Sequence, residues 1–148
     1  MSDVSTAVEV SATGSKIAES VQSLADGKQT VFSTITGDDF ATKMAVLNAT
    51  TASKPLAENL NKKINLANVV VQIVEMADEQ TGELREVPRT ILIDADGTAY
   101  HAISNGVFRA VENILGILGK PSKWPNPVAV KVQREGTGNR QYFTIVPA

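Results

Sequence analysis

From Ile64 onward the chain reads as a fixed succession of elements, and that succession limits the folds open to it. "INLANVVVQIVEMA" (64–77) is crowded with Val and Ile, whose branched β-carbons favour pleated backbone, and predicts one long strand. The polar return "DEQTGELRE" leads into "VPRTILID" (87–94), a second strand. "TAYHAIS" resumes the β pattern after Asp96-Gly97 as a third. "NGVFRAVENILGILG" then places Val107, Val111, Ile114, Leu115 and Leu118 at helical spacing, with Ser104 and Asn105 as caps and Gly119 as the stop. "NPVAVKVQRE" alternates Val128, Val130 and Val132 with more polar neighbours; after the turn "GTGN", "RQYFTIVP" turns Phe143 and Ile145 inward and Arg140, Tyr142 and Thr144 outward.

Strand, strand, strand, helix, strand, strand is the element order of the oligonucleotide/oligosaccharide-binding (OB) barrel. The expected fold is mainly β (α+β), a five-stranded OB-like barrel over 64–147 with a helix between the third and fourth strands. A helical and loop-rich extension over 16–63 precedes it. In that extension "KIAESVQSLADGK" has helical spacing and closes at Gly27, and "TVFSTIT" is a short β-rich run. "GDDFATKMAVLNAT" starts a helix at Asp38 and Asp39 with Phe40, Met44 and Leu47 on one stripe, and "KPLAENLNKKIN" is a loop or short helix. Residues 1–15 are small and polar and predict a flexible tail. A chain of 148 residues, 43% hydrophobic, suits one domain, taken as 16–148.

The stretch "ILIDADGTAY" (91–100) resembles chemistry, because an apolar run ending in Asp94, Asp96, Gly97 and Thr98 is how haloacid-dehalogenase phosphatases present a nucleophile and its acid/base partner on Mg²⁺. After Asp96, however, only Glu112 and Glu135 remain as acids, on a helix stripe and at a strand end. The β pattern also resumes at once, leaving no strand-to-helix elbow. An EF-hand loop from Asp94 fails too, since Ala99 stands where Gly is needed and Asn105 where a bidentate Glu is needed. Asp-Gly between alternating runs instead predicts a type I′ hairpin turn. With no cysteine and one histidine, His101, thiolate chemistry and multi-histidine metal sites are excluded, and neither enzyme activity nor a cofactor is expected.

No run is long enough to span a membrane and no signal pattern opens the chain, so a soluble, cytoplasmic protein is expected. Charge is segregated: residues 1–84 hold 6 Lys/Arg against 11 Asp/Glu (−5), residues 85–148 hold 8 against 5 (+3), and together they make the −2 of the whole chain. On the basic half, Lys131 and Arg140 with Tyr142 point away from the valine-rich face if the strands alternate as read. Tyr100 and His101 are adjacent, so one points each way. Trp124 lies in the proline-framed loop "KPSKWPNP" beside Lys123, and Arg89 and Arg134 add charge. Rings interleaved with Lys and Arg suit single-stranded nucleic acid, where bases stack and phosphates meet cations. The alternative is that Trp124 and Tyr142 plug the barrel ends and the cations form a solvated rim.

"QTGELREVPRTILIDADGTAYHAISNGVFRAV" followed by "ILGILGKPSKWPNPVAVKVQREGTGNRQYFTIV" resembles the single-stranded DNA-binding proteins of tailed bacteriophages and related mobile elements. The shared order is a "TGE" hairpin, "PR" before an apolar strand, an "IDxDG-xxY" turn, an "SxGVF" helix start and a "GxPxxW…PxxVKV" strand. The resemblance covers residues 65–146 and, more loosely, "TVFSTITGDDFATKMAVLNAT" and "LNKKINLANVVV". It implies a protein that coats single-stranded DNA in replication or recombination inside the bacterial host, without sequence preference or cofactor. It also leaves room for homo-oligomers and replication-protein partners. Arg89, Tyr100, Phe108 and Trp124 are its motif positions, Phe108 reading as core. A protein-interaction or virion/replisome assembly module, working through the acidic N-terminal half, is the competing function.

Overall fold

The computed structural model describes residues 31–148, so the tail expected over 1–15 and the helix expected to end at Gly27 lie outside the described residues. In chain order the elements are β1 (Val31–Ser33), α1 (Phe40–Thr51), β2 (Lys54–Pro55), β3 (Ile64–Ala77), β4 (Leu84–Asp94), β5 (Ala99–Ala102), α2 (Asn105–Leu118), β6 (Val128–Glu135) and β7 (Tyr142–Pro147). Short 3₁₀ turns occupy Leu56–Glu58, Pro121–Lys123 and Gly138–Arg140. Among the described residues no helix is long and apolar enough to cross a membrane.

Most of the sheet hangs on β3. Along one edge it pairs antiparallel with β4, from Leu66↔Asp94 to Ala77↔Leu84, with a register irregularity between Leu66 and Asn68. Its other edge is shared in turn by β6, at Ile64 to Leu66, and by β1, at Val70 to Gln72. β5 continues from β4, and the two-residue β2 lies parallel on β5. β7 closes the far side on β6, so the order is β2-β5-β4-β3-β6-β7 with β1 on β3. A long strand serving two partners in succession along one edge, and irregular in register near its start, curls the sheet into a half-barrel.

Alternation along β3 and β4 sends side chains to two cores. Inside the curl, Leu66, Val69, Val71, Leu92, Tyr100, Val130 and Val132 pack under Val107 and Val111 of α2. On the opposite face Val70, Ile91, Ile93 and Ala99 pack with Ala49 of α1, flanked by Val31, Ile35 and Val46. Each fully buried Val, Leu or Ile contributes about 1.5–3 kcal/mol of transfer free energy. Burial on both faces explains why the centres of β3 and β4 read as continuous apolar runs rather than alternating ones.

Several expectations hold to the residue. β3 spans the quoted run, Ser104 accepts a hydrogen bond from the Val107 amide as the α2 cap, and Gly119 ends that helix at φ +78°. Asp39 caps α1 through the Thr42 amide. Others need correction. The sheet has seven described strands rather than five, because β1 and β2 of the N-terminal extension join it, and no ladder among the described residues closes β5 on β7. The stripe Phe40, Met44 and Leu47 faces away from the core, at 76%, 44% and 51% exposure; Val46 and Ala49 face the sheet instead. Ala49 is small enough to let the helix lie close on β3 and β4. Strand β4 begins at Leu84, not Val87, because Asp78 accepts the amides of Gln80 and Thr81 and closes the turn early. Arg140 lies in the 3₁₀ turn before β7 rather than on the strand.

Candidate nucleic-acid interface

The two aspartates of "DADG" are consumed by the turn. Asp94 accepts the Asn65 amide at 2.8 Å with one carboxylate oxygen and the Asp96 amide at 2.9 Å with the other, tying the hairpin to the start of β3. Asp96 accepts the Thr98 amide at 2.8 Å, which holds its carboxyl below the usual carboxylate range. The hairpin is real but its type differs from expectation. Only Gly97 takes positive φ (+92°), the Gly97 amide donates to the Asp94 carbonyl, and the Asp94 amide donates to the Thr98 carbonyl. That is a type I turn closed by a glycine bulge, so Asp96 keeps negative φ. Among the described residues no three His, Cys, Asp or Glu gather as metal ligands do.

Four sequence candidates serve the fold. Arg89 reaches from β4 to the end of α1 and beyond, donating to the Thr50 carbonyl at 3.2 Å, the Gln72 side-chain carbonyl at 2.6 Å and the Ser53 hydroxyl at 3.1 Å. His101 Nδ1 lies 2.7 Å from the same Ser53 hydroxyl. Burial, and then the charge of Arg89, push its imidazole below its ordinary pKa. Tyr100 is 2% exposed inside the curl, with the Lys62 ammonium 5.6 Å from its ring centroid, so it offers no face to a base. Trp124 donates its indole N–H to the carbonyls of Leu118 at 3.2 Å and Gly119 at 3.0 Å, satisfying the end of α2, and packs its ring against the core. Its outer side lines a hollow of about 210 Å³ with Ala67, Pro121, Pro125, Asn126 and Pro127. Lys123 is exposed in the turn just before it.

The β6–β7 hairpin holds the remaining four. Register sets Lys131 opposite Val146 and Gln133 opposite Thr144, while Arg134 stands opposite Phe143 and Glu135 opposite Tyr142. Lys131 is therefore half-buried on one face beside Gln133, whose amide donates to the Glu135 carboxylate. Arg134 belongs to the other face, with its guanidinium 5.3 Å from the Phe143 ring centroid, a cation–π contact that pre-positions the charge. Arg140 is exposed in the connecting turn, and Tyr142 is 55% exposed.

Arg134 and Tyr142, on opposite faces of the hairpin by register, both border an open cleft of about 670 Å³ at the start of α2, walled also by Ile103, Ser104, Asn105, Gly106, Gln141 and Phe143. Ile103 leaves 47% of its surface open. The cleft thus combines a fixed cation, an accessible ring, an exposed apolar side chain and a helix N-terminus, whose dipole favours negative charge. Of the residues lining this cleft, sequence reading names Arg134 and Tyr142 as candidates but not Ile103, Asn105 or Gln141. Ser104 and Asn105 carried the only signal, as helix caps. The nine candidates do not form one surface. Arg89 and His101 face α1, Tyr100 is interior, Lys123 and Trp124 sit beyond the opposite end of α2, and Lys131 lies on the other face of the hairpin from Arg134.

A cation, an open ring and a helix start thus surround one cleft on the curled β sheet. The chain belongs to the phage single-stranded DNA-binding protein family of the Phi29 type, which it matches over residues 25–146. Neither the curated proteins nor the solved structures contain a match to it.

Proposed function

We propose that this chain binds single-stranded DNA without sequence preference and protects it while phage or mobile-element DNA is replicated or recombined in the bacterial cytoplasm. Family membership over residues 25–146 carries the reading. The cleft of Arg134, Tyr142 and the α2 N-terminus supports it, since a cation and a helix start suit a phosphate and an exposed tyrosine ring suits a base. The order β5-β4-β3-β6-β7, with α2 between β5 and β6, supports an open OB-type arrangement in which α2 stands where strand pairing would close the barrel. No catalytic step or cofactor is part of the proposal.

Fluorescence titration with oligothymidines of increasing length tests it. A threshold length is expected, together with affinity that falls as salt rises, because each phosphate contact releases counterions. Equal affinity for duplex of the same length, or binding indifferent to salt, overturns the reading.

A further inference from the structure

The β3–β4 hairpin outruns the rest of the sheet. β1 covers β3 only at Val70 to Gln72, and β5 covers β4 only at Thr90 to Ile93. Beyond them, residues 73–77 and 84–88 pair with each other alone, from Ile73↔Pro88 to Ala77↔Leu84. Both outer edges of this arm lack a ladder among the described residues. Five residues of strand reach about 17 Å, and a two-stranded ribbon by itself is marginal in water. The arm nevertheless leaves Ile73, Met76 and Leu84 at 39%, 43% and 50% exposure.

Its charge is one-sided. Glu75, Asp78, Glu79, Glu83 and Glu86 stand against Arg85, a net −4, and register sets Glu75 directly across from Glu86, a pairing that like charges oppose. The β6–β7 hairpin carries the opposite sign, Lys131, Arg134 and Arg140 against Glu135, a net +2, and the outer edge of β7 also lacks a ladder among the described residues.

We propose that the arm is a self-association element that docks on the β6–β7 hairpin of a second copy of this chain. Arm against arm would bring −4 to −4. Arm on hairpin joins opposite charges and covers Ile73 and Leu84, which share one face of the arm by register. The contact is head to tail, so copies that do not close into a ring extend as a row. The hairpin also carries Arg134 and Tyr142 of the cleft, so the contact is tested without DNA.

Sedimentation velocity on the full chain at about 10 mM salt, where the Debye length is about 30 Å, is expected to show species of at least twice 15.7 kDa. Neutralising the arm (Glu79→Lys with Glu83→Lys, net −4 to 0) or reversing the hairpin (Lys131→Glu with Arg140→Glu, net +2 to −2) returns each variant to the mass of one chain. Mixing the two variants restores a two-chain species, because the intact arm of the hairpin variant meets the intact hairpin of the arm variant. Thermal melts show that each variant folds; if a double substitution does not, Glu79→Lys and Arg140→Glu alone, both at exposed turn positions, carry the same test. A wild type that stays at 15.7 kDa, an oligomer untouched by either change, or folded variants that fail to associate on mixing overturns the proposal.

Discussion

Gly106, in the first turn of α2, rests on the backbone of Phe143 in β7 so closely that a β-carbon at this glycine would stand 2.1 Å from the Phe143 carbonyl oxygen. The helix start and the strand are in direct main-chain contact, where no β5–β7 ladder exists, and this contact forms the floor of the cleft.

Gly106→Ala cannot be absorbed by a flexible side chain, because the obstacle is backbone. Overpacking of this kind costs about 1–3 kcal/mol. A lower denaturation midpoint is expected, with weaker oligothymidine binding at temperatures where the variant is still folded. A melt equal to wild type would show that α2 does not need this approach.

Thr90 is fully buried within β4, and its hydroxyl has no hydrogen-bond partner among the described residues. Its register neighbours Val71 and Ala102 belong to the inner core. An unsatisfied buried hydroxyl costs about 1–3 kcal/mol, so the near-isosteric Thr90→Val is expected to raise stability by about 1 kcal/mol, read as a higher melting temperature without loss of binding.

Substituting Arg89 is expected to act on stability rather than on DNA affinity. Arg89→Ala strips partners from Thr50, Gln72 and Ser53 at once, with an expected loss of about 1–3 kcal/mol. Denaturant unfolding beside a binding titration separates the two effects. A large fall in affinity at unchanged stability would place Arg89 on the DNA.

Acid should loosen the same region through His101. Its folded-state pKa lies below the ordinary 6.5, so the unfolded chain takes up the proton first. The stability this represents is complete above pH 6.5 and is lost as pH falls through the lowered value. Asp39, Asp78 and Asp96, all held below 3.8, contribute in the same direction only in stronger acid. Stability measured from pH 7.5 down to about 5, where histidine but not ordinary carboxyl groups titrates, should therefore decline in the wild type and flatten in His101→Gln.

At the cleft, Tyr142→Ala should lower affinity by about 5- to 150-fold, the equivalent of about 1–3 kcal/mol for one stacked base. Arg134→Gln should instead reduce the salt dependence by about one phosphate contact. Both titrations use the same oligothymidine, and no change in either would remove the cleft from the DNA path.

What the sequence made legible follows from the range of the forces involved. Caps at Asp39, Ser104 and Gly119 and the extent of β3 are decided by neighbours within a few positions, and they were readable. The direction of Tyr100 and Arg89 depends on β4 and β5 pairing in a register that no local pattern encodes. The exposed row of Phe40, Met44 and Leu47 misled for a related reason. Periodicity reports that a helix has an apolar side, whereas the flat seat offered by β3 and β4 selected Val46 and Ala49. Of the cleft, the hairpin half was visible as cations and a ring; the α2 half was visible only as capping residues.

Because β3 holds β4 along one edge and β6 and β1 in turn along the other, none of these three strands can leave without uncovering part of β3. The valines at 69 to 71 sit where these attachments overlap, fully or almost fully shielded from water. Their amides are therefore expected to show the slowest deuterium uptake in the described chain.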